Sequence, residues 1–275
     1  MRVHIISDME GVSGIVRADQ TNAGEPLYEE GRKLYTEEIN AAVRGAKKAG
    51  AKEIVVMDHH GAGKSYSFNS LVPDLLDEAC DYVVQSTWTE YTGFLEQGCD
   101  ACLLVGMHAM AGTPDGVLSH TVSGREWRSL RFNGVLVGET GINAALCGTW
   151  DCPVVLVTGD EATGREAKAL LGDGVTTVTV KWGIGRASAR NIAPLRAREL
   201  IEEGARSSLK KLDAVEPYDP GKPCEIAVEF LNPSEVEKYR GRQGVEVTGL
   251  ESVVSRGDDW WTAWRRLFLQ PKLAS

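Results

Sequence analysis

Positive charge is scarce in this chain. Its 275 residues carry 30 Lys and Arg against 39 Asp and Glu, for a net charge of −9 and a pI near 5.2. A nucleic-acid binder draws its affinity from a basic excess that releases counterions, so no nucleic-acid partner is expected. Long apolar runs are missing as well. The longest, such as Pro153 to Val157 and Ala101 to Val105, fall far short of the ~18 residues that cross a bilayer, so no membrane partner is expected either. The opening MRVHIISDMEG puts Asp8 and Glu10 where a signal peptide would carry an apolar stretch and a small-residue cleavage site. The expected location is therefore cytoplasmic. Internal repeats, low-complexity tracts and long charge runs are absent, and there are only five histidines, which makes the position of each informative.

What is present fits a globular enzyme-sized chain. Hydrophobic residues make up 43% and charged residues 25%, close to the soluble average, and the length suits one large domain or one domain with a smaller companion. Six cysteines stand at positions 80, 99, 102, 147, 152 and 224. Without a secretory leader they are expected as reduced thiols. Cys99 and Cys102 form a CxxC, but it runs straight into the apolar LLVG instead of opening a helix, so the reading is of small buried residues leading into a strand.

Short runs rich in Val and Ile recur at Val3 to Ser7, Glu53 to Met57, Asp81 to Gln85, Ala101 to Gly106 and Val154 to Thr158. Continuous apolar strands of this kind are buried on both faces of a parallel sheet. Between the first two, Tyr35, Ile39, Ala42, Val43, Ala46 and Ala49 form one helical stripe, and Gly50 supplies the stop. Leu130 to Val137 centres on Asn133-Gly134, the dipeptide that accepts the positive φ angles of a hairpin turn. Helices are expected over Glu161 to Leu171, Pro194 to Leu212 and Asp259 to Leu269, and strands over Val175 to Lys181, Glu225 to Leu231 and Val245 to Val247. The Pro-rich Val215 to Pro223 reads as a linker. The expected fold class is α/β, a three-layer αβα arrangement on a mainly parallel sheet, plus a smaller C-terminal α+β part. The catalytic domain would cover 1–212 with a hairpin insertion near 128–138, and the small domain 213–275.

The chemistry-bearing residues fall at the ends of those strands. Asp8 and Glu10 close the first, His60 follows the second, His108 follows ACLLVGM, and Glu139 follows the hairpin. Ligands of open α/β sheets bind outside the carboxyl ends of the strands, where all five side chains can converge. Any one of them alone reads as a turn former, a cap or a packed residue. Together, two histidines and three carboxylates suit a dinuclear metal site, because zinc takes both ligand types and a metal pair can hold a hydroxide and polarise a carbonyl. His4 lies within a strand and is expected to pack, and of the pair His59-His60 one is expected to face away.

Two further features are set aside. Gly61-Ala62-Gly63-Lys64-Ser65 resembles the end of a phosphate-binding loop, but Asp58 occupies the first glycine position and would repel a phosphate. Trp260, Trp261 and Trp264 on the last helix read as a packed face, with one ring left over for a neighbouring subunit.

Five segments, in order, resemble the zinc-dependent D-aminopeptidases associated with bacterial dipeptide transport. They are Ser7-Asp8-Met9-Glu10-Gly11, Asp58-His59-His60, Gly106-Met107-His108-Ala109, Gly116-Val117-Leu118-Ser119-His120, and Val137-Gly138-Glu139-Thr140-Gly141-Ile142-Asn143-Ala144. The likeness runs from Met1 to about Gly159 and continues more weakly through Lys181 and the helix after Pro194. It implies that Asp8, Glu10, His60, His108 and Glu139 ligate two zinc ions (Zn2+) per subunit, with Asp8 as bridge, and that His120 is the catalytic histidine. It also implies a homodecamer that encloses its active sites. The segments Ala62 to Asn69 and Thr87 to Thr92 depart from the family and are expected to line the substrate pocket. Asp58 and Asn143 are candidates for orienting the ligands. The resulting expectation is a dizinc aminopeptidase that releases the N-terminal residue, a D-amino acid for instance, from short peptides through a metal-bound hydroxide. A free α-amino group docking on a site carboxylate or metal would account for exo cleavage. The alternatives are a dimetal hydrolase of another amide or of a phosphate ester, and a metal-dependent peptide-binding protein without turnover.

Overall fold

The computed structural model describes residues 1–63, 67–86 and 92–268. Along the chain, β1 (Arg2–Ser7) leads through the short α1 (Ala18–Thr21) into α2 (Tyr28–Lys48), then β2 (Glu53–Asp58) and β3 (Asp81–Val83). After α3 (Gly93–Glu96) come β4 (Ala101–Met107), the hairpin of β5 (Trp127–Phe132) and β6 (Val135–Val137), α4 (Glu139–Gly148), β7 (Val154–Asp160) and α5 (Glu161–Leu171). The remainder is β8 (Thr176–Gly185), β9 (Ser188–Asn191), α6 (Pro194–Ser208), β10 (Cys224–Phe230), α7 (Pro233–Val236), β11 (Val245–Val247), β12 (Ser252–Gly257) and α8 (Trp260–Phe268).

The larger sheet has the order β3-β2-β1-β4-β7-β8-β9 and is parallel except at its β9 edge. Its central strands are buried along their whole length in β4 and β7 and over Val3–Ser7 in β1, which is why they read as unbroken apolar runs. From β1 the chain first builds outward through β2 and β3, then returns to place β4 on the other flank. The carboxyl ends of β1 and β4 therefore form a topological switch point, the place where an open α/β sheet leaves a crevice for a ligand.

The smaller sheet, β11-β12-β10-β5-β6, is antiparallel throughout. The hairpin turn forms at Asn133-Gly134 with φ of 46° and 82°, the pair of positive angles that a tight two-residue turn demands. Strand β5 then pairs with β10, Ile226 opposite Phe132, so this sheet takes strands from both sides of residue 212. The helix expected to reach Leu212 ends at Ser208, and the strand expected over Asp81 to Gln85 ends at Val83.

The tryptophans of α8 find partners within their own chain. Trp260 stacks on Trp264 with centroids 5.4 Å apart, and the half-buried Trp261 meets Trp150 edge-on at 5.2 Å. All six cysteines are free thiols. Cys99, Cys102, Cys147 and Cys152 are buried, and their pKa values are pushed up, by thiol neighbours at Cys99, Cys147 and Cys152 and by burial at Cys102, which leaves them inert.

Candidate metal centre

The ends of β1 and β4 approach each other more closely than side chains allow. Asp8 N–H donates to Val105 O and Gly11 N–H to Gly106 O, both at 2.8 Å. A Cβ on Gly11 would lie 1.9 Å from Met107 O, and one on Gly106, whose φ is +73°, would lie 2.1 Å from Asp8 O. Only glycine fits at either position. This crossing carries Asp8 and Glu10 over to His108.

A second device holds the turn after Glu10. The Lys181 ammonium is fully buried and donates to three carbonyls, Glu10 O at 2.5 Å, Ile15 O at 2.6 Å and Val12 O at 2.8 Å. Burial lowers its pKa to about 8. Nothing in the local sequence marks this lysine, because its partners lie more than 160 residues away.

The three imidazoles are each fixed by a backbone carbonyl. His60 Nε2–H donates to Thr21 O at 2.8 Å, His108 Nδ1–H to Ala109 O at 3.0 Å, and His120 Nδ1–H to Leu118 O at 2.9 Å. A carbonyl only accepts, so the tautomers are set and His60 Nδ1, His108 Nε2 and His120 Nε2 are presented to the crevice. His60 Nδ1 lies 3.1 Å from both Asp8 Oδ1 and Glu10 Oε2. His108 Nε2 lies 3.2 Å from Asp8 Oδ2 and 3.4 Å from Glu139 Oε1. The two oxygens of Asp8 thus face two different histidines. His120 stacks on His108 with ring centroids 4.1 Å apart, and its Nε2 is 3.7 Å from Glu139 Oε1.

These separations fit zinc. Two ligands held at ~2.0–2.2 Å by one tetrahedral zinc lie roughly 3.4 Å apart. Ligand atoms of Asp8, Glu10 and His108 all fall within 4.8 Å of one another, as do those of His108, His120 and Glu139. Glu10 Oε2 and His108 Nε2 are buried, make no well-formed hydrogen bond and face only the other ligand groups, an arrangement that a cation between them would satisfy.

The charges are arranged to match. Burial opposes ionisation of Glu10 and Glu139, but the facing imidazoles outweigh it: His60, His120 and His108 hold Glu10 well below the carboxylate range, and His108 with His120 brings Glu139 down to about 2. Burial likewise opposes protonation of His60 and His108, and Glu10 with Asp8, and Glu139 with Asp8, raise both well above the imidazole range. Glu139 is the first residue of α4, where the helix dipole also favours its negative charge, and its Oε1 accepts from Val122 N–H at 2.8 Å. Asp58 supports His60 from below, accepting from its backbone N–H at 3.0 Å and from Tyr35 Oη at 2.9 Å.

All six residues singled out in the sequence, Asp8, Glu10, His60, His108, His120 and Glu139, converge here. His59 departs from expectation, because both it and His60 line the cavity. Strand β2 ends at Asp58, so the alternation that would turn one ring away no longer applies. The loop carrying His120 is strained on either side of it, with φ of 52° at Leu118 and 59° at Val122. The cavity has a volume of about 830 Å³, and the smaller sheet and α8 supply a wall that includes Trp127, Leu231 and Trp264. No local pattern announces that wall, which depends on how the two sheets meet. Of the departing segments, Phe68 lines the cavity, whereas 64–66 and 87–91 lie outside the described residues, and with them Lys64 and Ser65 of the phosphate-loop resemblance.

The peptidase M55 family, described as D-aminopeptidase, matches residues 1–269. The D-aminopeptidase of Bacillus subtilis (strain 168) is 31% identical over 277 residues, which span 100% of this chain and 98% of the relative. Among solved structures, the Zn-dependent D-aminopeptidase DppA from Bacillus subtilis, described as a self-compartmentalizing protease, superimposes with a TM-score of 0.90 at 30% identity, covering 98% of this chain and 96% of that one.

Proposed function

Because this chain belongs to the peptidase M55 family of D-aminopeptidases, we propose that its converging side chains form a two-zinc centre that releases the N-terminal residue of short peptides. The protein is a zinc-dependent aminopeptidase of the D-specific kind. Asp8, Glu10, His60, His108 and Glu139 would hold the two ions, Asp8 offering one oxygen to each side of the site. The observation that carries this reading is the division of Asp8, Oδ1 toward His60 at 3.1 Å and Oδ2 toward His108 at 3.2 Å, with both rings anchored on backbone carbonyls so that these nitrogens face the crevice.

Zinc, when bound, makes water a nucleophile at neutral pH and offsets the charge that develops on the scissile carbonyl. The protein's own groups do the rest. His120 stands on the solvent side of the centre, its side chain 20% exposed against 0% for His108, so it reaches the substrate without being enclosed among the ligands. With Nδ1–H anchored on Leu118 O, its Nε2 is free to pass a proton to the leaving amine. Glu139 orients that ring and His108 together, and the apolar wall excludes bulk water from the cleft.

The assembly follows the same reading. The chain forms a closed homodecamer in the cytoplasm that admits short peptides and excludes folded proteins. It is supported by the self-compartmentalizing Bacillus relative, and no helix among the described residues is long and apolar enough to cross a membrane. Light scattering then gives a mass near ten times 29.8 kDa. The activity is tested with zinc-loaded protein on a panel of D- and L-aminoacyl amides and dipeptides. Release of D-alanine from unblocked substrates, with the L-series much slower, is expected. Hydrolysis of phosphate esters with no amide cleavage would refute it.

A further inference from the structure

Three arginines line the cavity, and they differ in how they are neutralised. Arg128 is paired with Glu251 at 3.0 Å. The side chains of Arg125 and Arg186 have no acidic partner among the described residues. Arg186 is the one placed beside the chemistry. It sits in the turn between β8 and β9, and its carbonyl accepts from Leu118 N–H at 2.8 Å, in the same strained loop that presents His120. The space above Gly124 measures the gap: a Cβ built there would lie 3.4 Å from His120 Cβ and 3.5 Å from Arg186 Nη2. The unpaired Arg186 guanidinium and the root of the His120 side chain therefore flank the same position at Gly124, and both residues line the cavity.

Resting on the aminopeptidase reading, we propose that Arg186 binds the C-terminal carboxylate of the substrate, so that dipeptides with a free carboxylate are the preferred class. The dimensions agree. In a dipeptide the carboxyl carbon is two bonds from the leaving nitrogen, roughly 2.5 Å away. A guanidinium grips a carboxylate at about 2.7–2.9 Å, often through two parallel hydrogen bonds. A leaving nitrogen served by His120 thus carries its carboxylate only a short way along the cavity that His120 and Arg186 both line. One further residue would move that carboxylate by about 3.8 Å, out toward solvent. The electrostatics agree as well. Asp8, Glu10 and Glu139 line the same cavity and repel a second negative charge, so an acidic substrate end needs a counter-charge within that cavity.

The test compares D-alanylglycine with D-alanylglycinamide, which differ only in that charge, on wild-type and Arg186→Met zinc-loaded enzyme. Wild type is expected to favour the acid. Arg186→Met is expected to lower kcat/KM for the acid by about 10- to 100-fold, mostly through KM, and to leave the amide within about twofold, as loss of a charged hydrogen bond to the ground state predicts. Arg186→Lys should recover part of the preference by restoring the charge without the fork. An equal loss on both substrates would reduce Arg186 to a structural role and overturn the inference. So would a wild-type enzyme that releases D-alanine from acid and amide alike, a result that leaves the aminopeptidase reading intact.

Discussion

Lys181→Met removes one charge and keeps the length and packing of the side chain. Three buried carbonyls, those of Glu10, Val12 and Ile15, then lose their donor. Leaving a buried acceptor unsatisfied costs about 1–3 kcal/mol, or about 3–9 kcal/mol for the set. Against this stands the strain of holding the ammonium in the interior. Burial brings its pKa from 10.5 to about 8. At about 1.36 kcal/mol per pKa unit, that is worth roughly 3 kcal/mol, which methionine does not carry. The net loss centres near 3 kcal/mol, a large share of the ~5–15 kcal/mol that stabilises a domain. Denaturant unfolding of zinc-free protein reads that loss directly. Because one of the three carbonyls belongs to Glu10, zinc retention should weaken too. A Lys181→Met protein that unfolds at the wild-type midpoint and holds zinc as tightly would refute the argument.

Other perturbations separate the parts of the site. His120→Ala should retain its metal by elemental analysis yet lose at least ~10²-fold in kcat, the lower end of what a placed acid/base contributes. Gly11→Ala forces a methyl group into Met107 O and should cost about 1–3 kcal/mol by thermal unfolding together with much of the bound zinc, because the strand ends must part. Burial raises the Glu38 carboxyl to about 7 from 4.5, so the folded state binds more protons than the unfolded state between those values and stability falls as pH rises through them. Glu38→Gln should therefore gain up to about 3 kcal/mol over wild type in unfolding experiments at pH 8, with the gain shrinking toward pH 5.

The parallel core was legible because β1, β2, β4 and β7 are buried on both faces and so read as unbroken apolar runs. The six converging side chains were legible for a related reason, since a residue just past such a strand has a fixed address at the mouth of the sheet. Helix α4 escaped notice apart from Glu139, because Thr140 to Cys147 is buried on every side and shows no amphipathic period. Strand β12 is only six residues between turns, too short for its pattern to announce a strand. The smaller sheet was legible only in its C-terminal strands: β5 joins it from the middle of the chain, and it turns Trp127 and Leu231 into one wall of the cavity. Lys181 and Arg186 were invisible for the same physical reason. Their partners are set by tertiary approach, with no local periodicity to announce them.

The most direct test of the two-zinc centre is a titration of metal-free enzyme with zinc while hydrolysis of a D-alanyl dipeptide is followed. Five ligands divided by Asp8 require activity to rise to a plateau at two zinc ions per chain, and Asp8→Asn should abolish that plateau. Full activity reached at one zinc per chain, unchanged by Asp8→Asn, would contradict the account.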